Sequence, residues 1–230
     1  MIGETINSIL RGLVKLLHPV KWHNLRYTKP ISSVFGFERG TPIDRYYIDQ
    51  FLNSHKHYIK GTVLEIADSY YSSKYGDAVG KFEILHKDAT AIGVTLTGDL
   101  ENPDTLPENA MDCFICTQTL NFIFKIDEAM ESSYKLLKPG GSLLLTVAGL
   151  CQISAYDYDR WGDYWRFTDQ SIRRLATKYF KESNVRIQAH GNVLAATALI
   201  HGIAAEELTF HELSETDRSY QVIITLHAIK

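Results

Sequence analysis

Cysteine, long apolar runs and charge of one sign are all scarce in this chain of 230 residues. Its three cysteines, an odd number, argue against a disulfide framework and are typical of a reducing compartment. No apolar stretch reaches the roughly 18 residues that a membrane-spanning helix needs, and the N-terminus lacks the cleavage pattern of a signal peptide. The net charge of −3 gives no field that would attract nucleic acid to the whole protein. These absences predict a cytoplasmic protein without a nucleic-acid partner.

Metal-binding patterns are also missing. Cys113 and Cys116 form a Cys-x-x-Cys pair, but the apolar run at 112–117 around them is typical of a buried strand. Alternation along such a strand sends the two thiols to opposite faces. No second cysteine pair could complete a zinc site, and the nine histidines show no metal-ligand spacing. We therefore predict two buried core cysteines and no metal.

Residues 1–26 have the pattern of a separate amphipathic helix. Apolar residues recur at helical spacing, and residues 1–30 hold five basic side chains but only one acid, Glu4. One interpretation is a helix that packs on the domain or on a second subunit, as in a homodimer. The other is a helix lying on an anionic membrane surface, peripheral to its inner face. The sequence leaves both interpretations open and predicts a helical N-terminal extension at 1–38.

The rest of the chain alternates between two kinds of pattern. Apolar runs predict strands at 62–66, 82–86, 92–96, 112–117, 142–147, 185–189 and 221–228. Helical spacing predicts helices at 44–57, 127–137, 169–180 and 193–206. This alternation indicates a mostly parallel sheet. Only three residues separate Asp88 from Ile92, so either the crossover helix after the second strand is missing or one strand is misassigned.

The first strand and its loop carry the most chemical information. Glu65 stands near the end of the apolar run 62–66, and the small-residue turn 67–69 follows. Ligands of parallel α/β sheets bind beyond the carboxyl ends of the strands. An acid there, in place of a glycine-rich phosphate cradle, suits a ligand with ribose hydroxyls and a cationic centre. This ligand class points to S-adenosylmethionine.

Four blocks in order carry a resemblance to a known family. They are Val63-Leu-Glu-Ile66, Gly98-Asp99-Leu100, the run 111–120, and Leu136-Leu-Lys-Pro-Gly-Gly141 before a strand. Over residues 40–180 the chain resembles the class I S-adenosylmethionine-dependent methyltransferases. The resemblance implies a Rossmann-like α/β sheet, mostly parallel with helices on both faces, in a domain at 39–230. It also implies S-adenosyl-L-methionine as cofactor and a methyltransferase of EC 2.1.1 type.

The flanking segments resemble a narrower bacterial subgroup found with glycosyltransferases in surface-polysaccharide biosynthesis. The segments are 35–47, 156–168 and 191–196. This resemblance implies O-methylation of a sugar or glycoconjugate hydroxyl. It assigns 151–168 to an acceptor-side loop and 185–230 to a C-terminal helix and strands.

The chain departs from the family in its first loop. The family usually has glycines where Ala67 and Ser69 stand here. Glycine permits a positive φ and a close approach of backbone to ligand, so a left-handed residue in this loop would be strained. The departure motivates a second hypothesis, a degenerate, non-catalytic relative that binds glycan or protein.

The resemblance also assigns cofactor contacts, each at the carboxyl end of a strand. Glu65 and the loop of Ala67, Asp68 and Ser69 would line the methionine part, and Asp88 would bind the ribose hydroxyls. Asp99 would take the adenine amine, with Leu100 against the ring. The remaining expected contacts are Thr117, Gln118, Thr119 and Tyr46.

Segment 156–168 is the predicted acceptor wall, because aromatic faces cover sugar C–H groups while charged groups take the hydroxyls. Its expected contacts are Tyr156, Arg160, Trp161, Tyr164, Trp165 and Arg166. A hydroxyl nucleophile needs a base. The candidates are Asp157, Asp159 and His190, with Asp159 preferred because Arg160 beside it could also hold an acceptor.

Overall fold

The computed structural model describes residues 23–230, and residues 1–22 of the predicted N-terminal element lie outside this range. Seven strands form one sheet in the order β3-β2-β1-β4-β5-β7-β6. Their bounds are β1 Lys60–Ile66, β2 Ala78–His86, β3 Leu96–Thr97, β4 Met111–Thr117, β5 Leu137–Ala148, β6 Val185–His190 and β7 Ile223–Ile229. The subunit or membrane contact expected of residues 1–26 stays a prediction.

The sheet is parallel except at one strand. Strands β1 to β5 pair in parallel, whereas β7 runs antiparallel to both of its neighbours, β5 and β6. The chain builds β2 and β3 on one side of β1 and then returns to place β4 on the other side. Loops that leave β1 and β4 therefore diverge, and a crevice opens at the carboxyl edge between them. The predicted mostly parallel sheet is confirmed.

Helices cover both faces of the sheet. Their bounds are α1 Ile43–Ser54, α2 Tyr70–Tyr75, α3 Ile126–Leu136, α4 Ala155–Trp161, α5 Asp169–Ala176, α6 Val193–His201 and α7 Phe210–Ser214. Apolar residues of α3 and α5 join one buried cluster, and those of α1 and α6 join another on the opposite face. The helices predicted at 44–57, 127–137, 169–180 and 193–206 thus exist, because each presents one apolar stripe to the sheet.

The helices end earlier than the hydrophobic pattern predicts. Helix α6 stops at His201, because Gly202 adopts a left-handed φ of 67° and its N–H bonds back to the helix. Helix α5 stops at Ala176, although Phe180 continues the buried stripe beyond it. Among the described residues no helix is long and apolar enough to cross a membrane.

The connection from β2 to β3 answers the question that the sequence left open. Residues 87–95 form an irregular loop without a helix, and β3 is only Leu96–Thr97. The predicted strand at 92–96 is therefore wrong except at its last residue. Ile92 is 99% exposed, so its apolar side chain reflects no buried strand. Gly93 has a φ of 82°, which turns the chain directly into the edge strand.

Cys113 and Cys116 confirm the prediction of buried core cysteines. Both are fully buried in β4 and belong to different core clusters on opposite faces of the sheet. Burial raises the pKa of both thiols, that of Cys116 to about 12. They therefore stay protonated and act as small apolar side chains. Within residues 23–230 no group of three metal-type ligands occurs.

Candidate active site

A cleft of about 860 Å³ lies at the carboxyl edge of the sheet. Its floor comes from the ends of β1, β2, β4 and β5 and from the loops that follow them. The start of α1 closes one side, and α4 with the segment after it closes another. The volume falls in the range of small-molecule and cofactor sites.

Glu65 anchors the first loop of the cleft from beneath. Its side chain is 3% exposed and accepts hydrogen bonds from the N–H groups of Tyr71 (3.0 Å) and Ser72 (2.8 Å) at the start of α2. Burial raises the pKa of this carboxyl, although the two backbone bonds favour its ionised form. Glu65 thus fixes the beginning of α2 against the end of β1, and it also lines the cleft.

The turn at Ala67 adopts the backbone of a glycine. Ala67 has a φ of 68°, in the left-handed region that L residues avoid, whereas Ser69 has an ordinary φ of −115°. Only one of the two substituted glycine positions is therefore strained. The carboxylate of Asp68 accepts from the N–H of Tyr70 at 2.9 Å, so it also serves the turn. The loop keeps the shape that close approach to a ligand requires.

Replacing Ala67 with glycine is expected to stabilise the protein. The left-handed conformation costs an L residue about 1–2 kcal/mol, which corresponds to roughly 2–8 °C in melting temperature for a chain of this size. Thermal unfolding of Ala67→Gly measures the gain, and Ser69→Gly is the control because its φ relieves nothing. Equal stability changes in the two variants would contradict the strain at Ala67.

The end of β2 differs from the prediction. His86 and Lys87 line the cleft, and Asp88 does not. The Asp88 carboxylate accepts from the N–H of Thr90 at 2.8 Å and from its hydroxyl at 2.7 Å. The missing crossover helix lets this loop fold on itself, which turns Asp88 into a local cap. Asp88 therefore lies outside the lining of the cleft that would hold the ribose, and His86 is the residue at that strand end that lines it.

The end of β3 brings one of its two predicted residues into the cleft. Leu100 lines the cleft and is 4% exposed. Asp99 stands outside the lining, and its Oδ1 lies 3.1 Å from Nζ of Lys87. The same Asp99 oxygen accepts from the N–H of Glu101 at 2.8 Å. Asp99 therefore stabilises the loop beside the cleft. Of the two predicted residues, Leu100 is the one placed to contact a bound ligand.

The end of β4 supplies Thr117, Gln118 and Thr119, and all three line the cleft as expected. Gln118 has a left-handed φ of 48°, and its N–H donates to the carbonyl of Thr146 at 2.9 Å. Its side-chain Oε1 is buried without a hydrogen-bond partner. Strained residues with unmet hydrogen-bonding capacity cluster at functional sites.

Helix α1 contributes to the cleft one residue, Asp44, that the sequence did not select. Asp44 and Arg45, in its first turn, line the cleft, and Arg45 donates from Nη1 to the Tyr71 hydroxyl at 2.8 Å. Tyr46 does not line it and packs edge-on against the Tyr47 ring at 5.4 Å between centroids. A helix turns by about 100° per residue, so Asp44 and Tyr46 face different sides. The sequence did hold a signal for Asp44, because Asp44 is an acid in the first turn of a helix that begins after Thr41-Pro42.

The acceptor wall divides into residues inside and outside the cleft. Asp157, Trp161 and Arg166 line it. The predicted contacts outside the lining are Tyr156, Asp159, Arg160, Tyr164 and Trp165. Helix α4 buries no residue of its own, and only one of its sides faces the cleft, so its exposed side carries Tyr156, Asp159 and Arg160, whereas Tyr164 and Trp165 follow the helix. The preference for Asp159 as base is corrected on this ground.

The residues outside the cleft have structural contacts. The Arg160 guanidinium stacks on the Tyr156 ring at 3.4 Å. The Trp165 indole N–H donates to the carbonyl of Ile123 at 3.0 Å, and the N–H of Tyr164 donates to the carbonyl of Asn121 at 2.8 Å. These bonds hold the wall against the loop after β4.

His190 lies in a different place from the cleft. It ends β6, which two strand positions separate from β4 in the sheet order, and it borders a groove against α1. Its Nε2 lies 3.0 Å from the Thr225 hydroxyl, and burial lowers its pKa to about 4. The assignment of His190 as base is therefore corrected, because the intervening β5 and β7 keep it away from the cleft.

The chemistry of the cleft fits S-adenosylmethionine. Arg45 is a guanidinium that would hold a carboxylate, and Glu65 and Asp68 are carboxylates that would attract an ammonium or a sulfonium. The unpartnered Gln118 Oε1 offers an acceptor to a bound group. Leu85, Leu100 and Ile123 add apolar surface for a ring. When bound, the cofactor supplies a methyl group on a positively charged sulfur.

Comparison with known proteins agrees with this geometry. A family described as a methyltransferase domain matches residues 73–145, which run from α2 into β5. No curated protein sequence matches the chain. The sheet has a Rossmann-like class I methyltransferase fold. Together with the domain match, this fold supports a methyltransferase that uses S-adenosylmethionine as its cofactor.

Solved structures show the same fold. A SAM-dependent methyltransferase from Archaeoglobus fulgidus aligns with a TM-score of 0.54 at 13% identity, covering 86% of this chain and 100% of that one. A SAM-dependent methyltransferase from Thermotoga maritima aligns with a TM-score of 0.53 at 17% identity, covering 91% and 99%. At these sequence identities the structural similarity establishes the fold. The identity of the methyl acceptor has to be inferred from the residues of the site.

Proposed function

We propose that this enzyme transfers the methyl group of S-adenosylmethionine to a hydroxyl group of a saccharide or glycoconjugate. The observation that carries the proposal is the make-up of one end of the cleft. Trp161 presents an aromatic side chain there, beside the ion pair of Asp163 and Arg166. Aromatic faces cover the C–H groups of a sugar ring, and charged planar groups bind its hydroxyls.

Two buried amide oxygens extend this argument. Asn121 Oδ1 and Gln152 Oε1 border the cleft without a hydrogen-bond partner, and Asn121 is only 5% exposed. A buried acceptor without a partner costs about 1–3 kcal/mol. A ligand with several hydroxyl donors would relieve that cost, so the lining favours a polyhydroxylated acceptor.

The protein's main task in this reaction is alignment and the exclusion of water. Methyl transfer is an in-line displacement, and holding the acceptor oxygen opposite the leaving sulfur removes much of its entropic barrier. Helix α4 covers the cleft, and its Trp161 lies edge-on to His86 with 5.7 Å between ring centroids. This contact joins α4 to the end of β2 at the cleft.

A panel of acceptors tests the proposal. We expect formation of S-adenosylhomocysteine with free sugars, nucleotide sugars or oligosaccharides. Trp161→Ala should raise KM for the acceptor about 3- to 10-fold, the value of one aromatic contact, without changing cofactor affinity. Tyr158→Ala is the control, because Tyr158 is exposed on the same helix and outside the cleft. Methylation of amines but of no hydroxyl compound would contradict the proposal.

A further inference from the structure

The carboxylates that line the cleft differ in the hydrogen bonds and ion pairs that they already form. Asp49 is paired with Lys74 at 3.0 Å, and both Glu65 oxygens accept from the start of α2. The two carboxylate oxygens of Asp163 accept hydrogen bonds from the Arg166 guanidinium at 2.5 and 2.9 Å. In each of these three carboxylates both oxygens already accept hydrogen bonds, which leaves less capacity to take a hydroxyl proton. They are therefore weaker candidates for a base.

Three other carboxylates line the cleft: Asp44, Asp68 and Asp157. Asp68 is exposed and caps the first turn of α2. Asp157 belongs to α4, a helix that buries no residue. Its position is therefore not fixed by packing of that helix into the core. Asp44 is half-buried in the first turn of α1, a helix with five core residues. Among these carboxylates Asp44 is therefore both accessible from the cleft and rigidly placed.

The surroundings of Asp44 place it between the two ends of the cleft. Asp44 and Gln118 both line the cleft, and the Gln118 side chain favours the ionised form of Asp44. Asp44 therefore lies beside the floor that follows β4. The charges of Asp44, Arg166 and Asp163 all act on the pKa of the Cys151 thiol, and all four residues line the cleft. Asp44 thus stands where the cofactor floor meets the acceptor wall.

We propose that Asp44 is the general base that accepts the hydroxyl proton of the acceptor, an inference that rests on the proposed O-methylation. As the proton moves to the Asp44 carboxylate, the acceptor oxygen bonds to the methyl carbon. The carbon–sulfur bond breaks and its electron pair stays on sulfur, which leaves S-adenosylhomocysteine, a methyl ether and protonated Asp44. Gln118 is a positioning residue, because its side chain lines the cleft beside the carboxylate and favours its ionised form.

The environment of Asp44 suits this role. Burial raises its pKa, which outweighs the bonds from Arg45 and Gln118 that favour the ionised form. A base works best when its pKa lies closer to the operating pH. The charged groups around it are Arg45 on its own helix and, through Cys151, Arg166 and Asp163 on the facing wall.

The first test compares Asp44→Asn with wild type on an acceptor that the panel identifies. We expect kcat to fall about 100-fold or more, the usual value of general base catalysis. The dissociation constant of S-adenosylhomocysteine should stay within about threefold. The acid limb of the pH–rate profile should disappear in the variant. Asp77→Asn is the control, because Asp77 is 81% exposed and outside the cleft.

Each outcome of this test supports or contradicts the assignment of Asp44 as the general base. Asp44→Asn with more than a tenth of wild-type kcat overturns the role of Asp44, and a loss in Asp157→Asn alone would move the role to Asp157. Gln118→Ala should lower kcat less than Asp44→Asn and keep the acid limb, as expected of a positioning residue.

A second measurement needs no acceptor and so separates this inference from the proposed function. The sulfonium of S-adenosylmethionine is positive and S-adenosylhomocysteine lacks it, so only the former should release a proton from a neighbouring Asp44. Calorimetry at mildly acidic pH in buffers of different ionisation enthalpy measures this difference. The difference should be smaller in Asp44→Asn than in wild type, because Glu65, whose pKa is also raised, lines the same cleft and accounts for the remainder. If wild type methylates no hydroxyl, the proposed function fails, and a difference of unchanged size in the variant separately removes Asp44 from the site.

Discussion

Replacing Glu65 with alanine is expected to weaken cofactor binding strongly and to destabilise the fold. The variant leaves the N–H groups of Tyr71 and Ser72 without the acceptors that hold the start of α2. Each unpaired buried donor costs about 1–3 kcal/mol. The loss of one charge-assisted contact to the ligand, about 1.5–3 kcal/mol, corresponds to roughly 10- to 150-fold in affinity. Calorimetric titration with S-adenosylhomocysteine measures the second effect.

The control for Glu65 is the other buried glutamate on the neighbouring strand. Glu83 is 8% exposed in β2, where Lys81 and Thr95 engage it, and it does not line the cleft. Glu83→Ala should therefore lower thermal stability and leave cofactor affinity unchanged. Equal affinities in wild type and Glu65→Ala would show that the cofactor does not depend on the end of β1.

The two variants also differ in how stability should depend on pH. Burial raises the pKa of Glu65, so the folded protein holds that proton to higher pH than the unfolded chain. The contribution of Glu65 is thus present below its ordinary pKa and is lost as the pH rises through its raised value. The pKa of Glu83 is lowered by its bonds to Lys81 and Thr95, despite burial. Its contribution is therefore present above its ordinary pKa and is lost as the pH falls through its lowered value.

Replacing Gly149 with alanine is expected to destabilise the fold through a backbone collision. Gly149 follows β5, and its N–H donates to the carbonyl of Val222 at 3.0 Å. A Cβ on Gly149 would lie 2.0 Å from the carbonyl oxygen of Gln221. Neither backbone can move without opening the antiparallel pairing of β5 and β7. We expect a loss of about 3 kcal/mol, the upper part of the range for overpacking.

Thermal unfolding measures this loss, which corresponds to roughly 6–12 °C for a chain of this size. The control is Gly80→Ala in β2, where a Cβ would meet only the carbonyl oxygen of Gly61 at an ordinary 3.7 Å. That variant should change stability by no more than about 0.5 kcal/mol, as at an uncrowded surface site. Similar melting temperatures for the two variants would show that β5 and β7 separate easily.

Much of the fold could be predicted because the signals are local. The Lys138-Pro-Gly-Gly141 turn and the helical stripe before it indicate a helix followed at once by a strand, and the structure has α3 ending at Leu136 and β5 beginning at Leu137. Glu65 could be found in the same way, because an acid at the end of an apolar run stands at the carboxyl edge of any parallel sheet. Side-chain alternation likewise placed Cys113 and Cys116 on opposite faces.

The site depended on information that no local pattern holds. Asp159 and Asp157 are two residues apart, yet only Asp157 lines the cleft, because the docking of α4 decides which of its sides faces inward. His190 ends a strand as expected, but the sheet order puts β5 and β7 between that strand and β4.

The sequence by itself thus determined the alternation of strands and helices, the buried cysteines and the acid at the end of β1, because each depends on neighbours within a few residues. Only the tertiary structure decided that Asp44 reaches the cleft and that Asp88 does not. Asp44 and Gln118 line the same cleft across a separation in sequence that only the packing of α1 on the sheet closes. Asp88 turned inward on its own loop because the crossover helix that would have extended the chain there is missing.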